Sequence, residues 1–118
     1  MSNTSLPWLG RPAPRMVHRR RSIIFPQKDN DGVSLDAENR QIRDELGRMA
    51  PGYTEHPTSK GVWYNDNGER FEDDVNEVFM TTPRETDDQI RAKLPEWRDL
   101  LRQQALYSDA HDVDLDLV

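Results

Sequence analysis

Six side chains in the body of the chain could line a pocket with chemistry in it: Thr54, His56, Trp63, Asp74, Glu77 and Gln104. A histidine near carboxylates suits proton transfer, and a tryptophan offers a flat platform for a ring. No serine or lysine stands with His56 in a nucleophile motif, and the three histidines, His18, His56 and His111, are dispersed without zinc-ligand spacing. Neither a P-loop nor a GxGxxG run occurs, which removes those two routes to nucleotide chemistry. The stretch "FPQKDNDGVSLDAE" invites a calcium reading. With Gly32 at the central glycine of an EF-hand loop, Asp29, Asp31 and Glu38 fall on ligand positions, but Gln27 falls where the first aspartate belongs. A strand-like "SIIF" and Pro26 also precede the loop where a helix is required. The stretch therefore reads as a joint, with Asp29 and Asn30 bonding backbone amides and Ser34 or Asp36 capping a helix. No metal and no cofactor are expected.

The second chemical feature is basic. Residues 1–21 hold five arginines, Arg11, Arg15, Arg19, Arg20 and Arg21, and no acid, whereas the remainder sets eleven basic residues against 22 acidic ones. Pro7, Pro12 and Pro14 and the lack of apolar periodicity make this an extended arm, anchored by Leu6, Trp8 and Leu9. Arginines beside Trp8 could track phosphates and stack on bases. The acidic body would repel a polyanion, and no aromatic RNA-recognition motif is present, so an acidic protein surface is the favoured target of Trp8, Arg15, Arg19, Arg20 and Arg21.

These residues need elements to hold them. At 118 residues, with 34% hydrophobic and 32% charged residues, the chain suits one domain with part of its length outside the core. It has no cysteine and no apolar run long enough for a signal peptide or a membrane span, so a cytoplasmic protein is expected. "RSIIF" predicts a strand. Leu35, Ile42, Leu46 and Met49 recur at helical spacing and stop at Pro51-Gly52. "GVWY" and "RFEDDVNEVFMTT" predict two strands about the Asn67-Gly68 turn, the second of them central. Thr86 with Gln89 predicts a capping box, Asp87 and Asp88 complement the helix dipole, and Ile90, Leu94, Trp97, Leu101 and Gln104 or Ala105 form one face across Pro95. "DVDLDLV" alternates, which predicts a last edge strand with Val113, Leu115 and Leu117 inward.

The order βαββαβ with right-handed crossovers predicts an α+β ferredoxin-like plait over residues 22–118, with two helices on one face of a four-stranded antiparallel sheet. The other face is left open, with Ile24, Trp63, Val78 and Met80 as its candidate apolar groups. The segments "FPQKDNDG", "GYTEHPTSKGVWYNDNGERFEDDVNEVFM" and "LRQQALY" resemble a family of small uncharacterised bacterial proteins over roughly residues 22–118. Asp29, Asn30, Gly32, Thr54, Gly61, Trp63, Asp74 and Gln104 match, while Tyr53 departs from a glycine expected there. The resemblance implies the plait and carries over no catalytic role. The resulting expectation is a non-catalytic binding or accessory protein that self-associates or docks a larger protein through the open face and the arm. The alternatives are a small enzyme with a pocket on that face and a nucleic-acid-binding regulator.

Overall fold

The computed structural model describes residues 16–118; Trp8 and Arg15, with the rest of the segment before Met16, lie outside them. The element order is β1 His18–Pro26, α1 Asp36–Met49, β2 Thr54–Tyr64, β3 Arg70–Pro83, α2 Arg84–Leu100 and β4 Ser108–Val113. The four strands form one sheet in the order β2-β3-β1-β4, antiparallel throughout. This is the expected ferredoxin-like plait. β1 and β3 are interior, as their β-branched and aromatic residues require, and the helices cover one face.

Strand parity decides what the helices bury. Ile23 pairs with Val78 and Arg21 with Met80, so these four share the helix side with Phe25 and Thr82. Ile23, Phe25 and Val78 are fully buried there against Leu35, Ile42 and Leu46 of the α1 region and Ile90, Trp97 and Leu101 of the α2 region. Each of these large side chains gains roughly 1.5–3 kcal/mol from burial. The helix-face spacing read from the sequence is thereby accounted for, and the Trp97 indole also donates to Glu45 Oε2 at 3.2 Å. Val78 and Met80 do not belong to the open face, because they lie one residue out of phase with Glu77 and Phe79.

Four elements have bounds that differ from expectation. β1 starts at His18, so Arg19, Arg20 and Arg21 are strand residues and not the end of an arm. β2 begins at Thr54, because an irregularity in register between His56 and Ser59 accommodates Pro57. α2 begins at Arg84 after Pro83, two residues before the supposed cap at Thr86, and runs through Pro95 without a break. Gln104 and Ala105 lie beyond its end, which Arg102 closes with a positive φ of 54° while Gln103 N donates to Arg98 O. β4 is Ser108–Val113, not Asp112 onward. Val113 and Leu115 are half-buried, but Leu117 is exposed, and the β1–β4 register runs from Ser108 to Val113.

The opening loop is a joint. Asp29 Oδ1 accepts from the amides of Asp31 and Val33, each at 2.9 Å, and Gly32 takes a φ of 79°. Asp29 Oδ2 and Glu38 Oε2 both receive the Arg102 guanidinium, at 3.0 and 2.9 Å. The carboxylates that a calcium loop would recruit thus tie the loop and α1 to the end of α2. The Val33 amide, foremost, and the Arg102 guanidinium hold the Asp29 carboxyl below its ordinary range.

Candidate functional site

The sheet face opposite the helices is built from alternate residues of the strands. β1 contributes Arg20, Ser22 and Ile24. β3 contributes Phe71, Asp73, Val75, Glu77 and Phe79, and β2 contributes Thr54, His56, Gly61 and Trp63. Two clusters lie on it.

At one end, His56 Nδ1 lies 3.1 Å from Glu77 Oε1, and Ser22 Oγ donates to Glu77 Oε2 at 2.8 Å. The His56 ring meets Phe79 edge-on at 5.2 Å between centroids, and the Arg20 guanidinium stands 4.0 Å over the same phenyl ring. Register brings them together: His56 pairs with Glu77 and Thr54 with Phe79, while Ser22 faces Phe79 from the other side. The Ser22 hydroxyl, foremost, and His56 hold the Glu77 carboxyl below its ordinary range, against a partial burial that raises it. Thr54 stands exposed at the edge of this cluster.

At the other end lies a concavity of about 740 Å³, lined by Ile24, Pro26, Val75, Trp63, Asp73 and the strand-free segment 103–107. Trp63 stacks on Phe71 at 6.3 Å and 15°, and the two are 44% and 42% exposed. Segment 103–107 is held beside the sheet by Ile24 N donating to Tyr107 O at 3.0 Å and Ser108 Oγ donating to Ser22 O at 2.8 Å. Burial, more than the neighbouring Asp74 charge, pushes the Asp73 carboxyl above its ordinary range.

Of the pocket residues expected from sequence, His56, Glu77 and Thr54 fall in the first cluster and Trp63 and Gln104 line the concavity. Asp74 does neither. It pairs with Lys60 on the opposite side of the β2–β3 hairpin, one residue out of phase with Asp73, and that ammonium holds its carboxyl low. Among the three arginines of β1, only Arg20 reaches the open face. Arg21 is buried on the helix side, giving Nε to Asp87 Oδ1 at 2.7 Å and Nη2 to Asp87 Oδ2 at 3.0 Å, and Arg19 Nη1 joins the same carboxylate at 2.9 Å. Asp87, expected to serve the helix dipole, is instead the fully buried counter-ion of β1. Sequence reasoning missed Ser22, Phe71, Asp73 and Phe79. The signal for the last three was the two-residue step of β3 through Val75 and Glu77.

No family model matches the chain, and no curated protein matches it. Solved structures do match. CutA1 from Oryza sativa superposes with a TM-score of 0.65 at 10% identity, over 86% of this chain and 84% of that one. The divalent cation tolerance protein Cut A1 from Thermus thermophilus gives 0.63 at 15% identity, over 85% and 87%. GlnK from B. subtilis, solved as an ATP complex, gives 0.61 at 11%, over 86% and 85%. At these identities the likeness shows a shared fold.

Proposed function

We propose that this chain is a small non-catalytic binding protein that assembles with further copies of itself through the open sheet face, with the basic segment before β1 as a second contact. The observation that carries the reading is a sheet face that no described helix covers, bearing Phe71, Trp63, Phe79 and Ile24, two of these aromatics more than two-fifths exposed. A face of this kind is stabilised when a second apolar surface covers it. A second copy fits, because the same face carries Arg20 and His56 beside Glu77 and Asp73, so charges of both signs are available to meet each other across a self-complementary contact. The reading places the assembly in the cytoplasm, where a chain without cysteine has no disulfide to gain or lose.

Catalysis is less well supported. Ser22 and His56 both bond to Glu77, on different oxygens, so the histidine does not receive the serine proton and the three are not ordered as a serine–histidine–acid relay. The His56–Glu77 cluster also lies outside the concavity, which a substrate would need to occupy. Nucleic-acid binding loses two of its arginines, because Arg19 and Arg21 are committed to Asp87. The ATP of the GlnK neighbour does not transfer to the concavity, whose described lining residues include no lysine or arginine. Nor do the described residues gather three histidine, aspartate or glutamate side chains that could hold the divalent cation named for the Cut A1 neighbour.

Light scattering on the full chain across a concentration range tests the proposal. A mass that is a multiple of 13.8 kDa is expected, falling to the single-chain value in Phe79→Glu and Phe71→Glu variants that keep a native circular dichroism spectrum. Removing residues 1–15, which leaves β1 whole, should loosen the assembly in a salt-dependent way. A single-chain mass at every concentration overturns the self-association, and so does an oligomer that both charge variants leave intact. If the full chain is found only with a different protein bound to this face, a heterologous partner replaces the second copy.

A further inference from the structure

The concavity beside Trp63 has an electrostatic character that self-association does not explain. Its walls are apolar where β1 and β3 supply them, through Ile24, Pro26 and Val75. Segment 103–107 adds amide groups, Gln104 among them. Among the described lining residues Asp73 is the one charged side chain. Nearby charges do not compensate it: Lys60 is bound to Asp74, and Lys28 acts on Asp74 as well. Asp73 is half-buried, and Lys28 and Lys60, which stand near it, act on Asp74. A half-buried carboxylate in a partly apolar site, whose neighbouring ammonium groups serve another carboxylate, is stabilised by a ligand that brings a cation of its own.

The shape of the floor narrows the ligand. Gly61 pairs with Asp73 across β2 and β3. A Cβ at Gly61 would come to 3.4 Å from Val75 Cγ1 and 3.6 Å from Trp63 Cζ3, so the missing side chain leaves open the space between the indole and the valine. Trp63 has Phe71 stacked on it and remains 44% exposed, which leaves indole surface free for a second ring. An anion is disfavoured by Asp73 and finds no guanidinium, ammonium or imidazole among the described lining residues. A flat cation satisfies both surfaces at once, because its positive charge is drawn to an indole face as well as to a carboxylate.

We propose that this concavity binds a planar organic cation of the amidinium, guanidinium or protonated-heterocycle class, with its N–H groups donating to the Asp73 carboxylate and its plane against the Trp63 indole. Asp73 supplies the charge selection, Trp63 and Val75 the slot, and Gly61 the room for it. At about 740 Å³ the space suits a small molecule. The named lining groups belong to one copy of the chain, so the site is complete in the single chain; Trp63, Ile24 and Val75 are shared with the face proposed to assemble, so a ligand here competes with self-association.

Calorimetric titration of the full chain with benzamidine, and with benzamide as its neutral near-isostere, tests this. Saturable benzamidine binding is expected, with benzamide at least tenfold weaker. In Asp73→Asn the difference between the two should collapse. Gly61→Val, which fills the slot from a backbone position without a positive φ, should abolish binding of both while the melting temperature stays close to that of the parent. The proposal is overturned if benzamidine shows no saturation, if both probes bind the parent alike, or if both variants bind benzamidine as the parent does. Mass measured on the same samples reports separately on assembly: a single-chain protein that discriminates the probes keeps this site and removes the self-association.

Discussion

Replacing Asp87 by asparagine should be among the most damaging isosteric changes in the chain. Asp87 is fully buried and accepts three charge-assisted hydrogen bonds, two from Arg21 and one from Arg19, at 2.7 to 3.0 Å. Arg21 is itself only 6% exposed, and its remaining contact is Nη1 donating to Ser108 Oγ. The amide keeps the volume but leaves a guanidinium buried without a counter-ion, which costs about 3–5 kcal/mol. At about 4 °C per kcal/mol for a domain of this size, the melting temperature should fall by roughly 12–20 °C. Urea unfolding followed by circular dichroism should show a lower midpoint at unchanged slope. An Arg21→Met/Asp87→Leu double variant should recover most of the loss, because removing both charges also removes their desolvation. Burial alone would raise the Asp87 carboxyl, but Arg21 and then Arg19 outweigh it and hold the group below its ordinary range. Its contribution is therefore complete above the unfolded-state value and disappears as pH falls through the folded one. The acid limb of the stability curve should flatten in the double variant. A loss below about 1 kcal/mol for Asp87→Asn, or a double variant as unstable as the single one, would refute the reasoning.

Three further outcomes are expected. Pro95→Ala should stabilise by about 1–3 kcal/mol, since an exposed proline inside α2 withholds one helical hydrogen bond; an unchanged urea midpoint contradicts this. Gly32→Ala and Gly47→Ala should move stability in opposite directions, each by about 1 kcal/mol. Gly32 sits at φ 79°, whereas Gly47 is an exposed helical position with nothing within 4 Å of a new Cβ. Asp73→Asn should stabilise at neutral pH and not at pH about 3, because a carboxyl raised by folding weakens the fold as it ionises. Equal effects at both pH values would argue against a desolvated carboxyl.

The plait was legible because Leu35, Ile42, Leu46, Ile90 and Trp97 announce their helical faces and "SIIF" its strand, and local periodicity suffices for elements whose buried face is continuous. Periodicity failed at the ends. "DVDLDLV" alternates by itself, yet among the described residues its register with β1 ends at Val113, opposite His18. Arg19, Arg20 and Arg21 look like an arm until Asp87, more than sixty residues later, gives two of them a buried carboxylate. Much of the candidate site was visible as residue types but not as a place. Asp73 and Asp74 are equivalent in sequence, and only the β2–β3 register puts the first on the open face and the second against Lys60.

The position of β1 between β3 and β4 has a consequence for biosynthesis. Its two neighbours are made long after it, β3 ending at Pro83 and β4 at Val113. At about 5–20 residues per second, Ile23 waits roughly 4–17 seconds before its β4 partner Ser108 is made. Until β3 follows, both edges of this β-branched segment are unpaired, and one edge stays open until β4 is made, which makes the nascent chain a natural client for a holding chaperone. Conditions that slow elongation should lower the soluble yield without touching the stability of the finished fold.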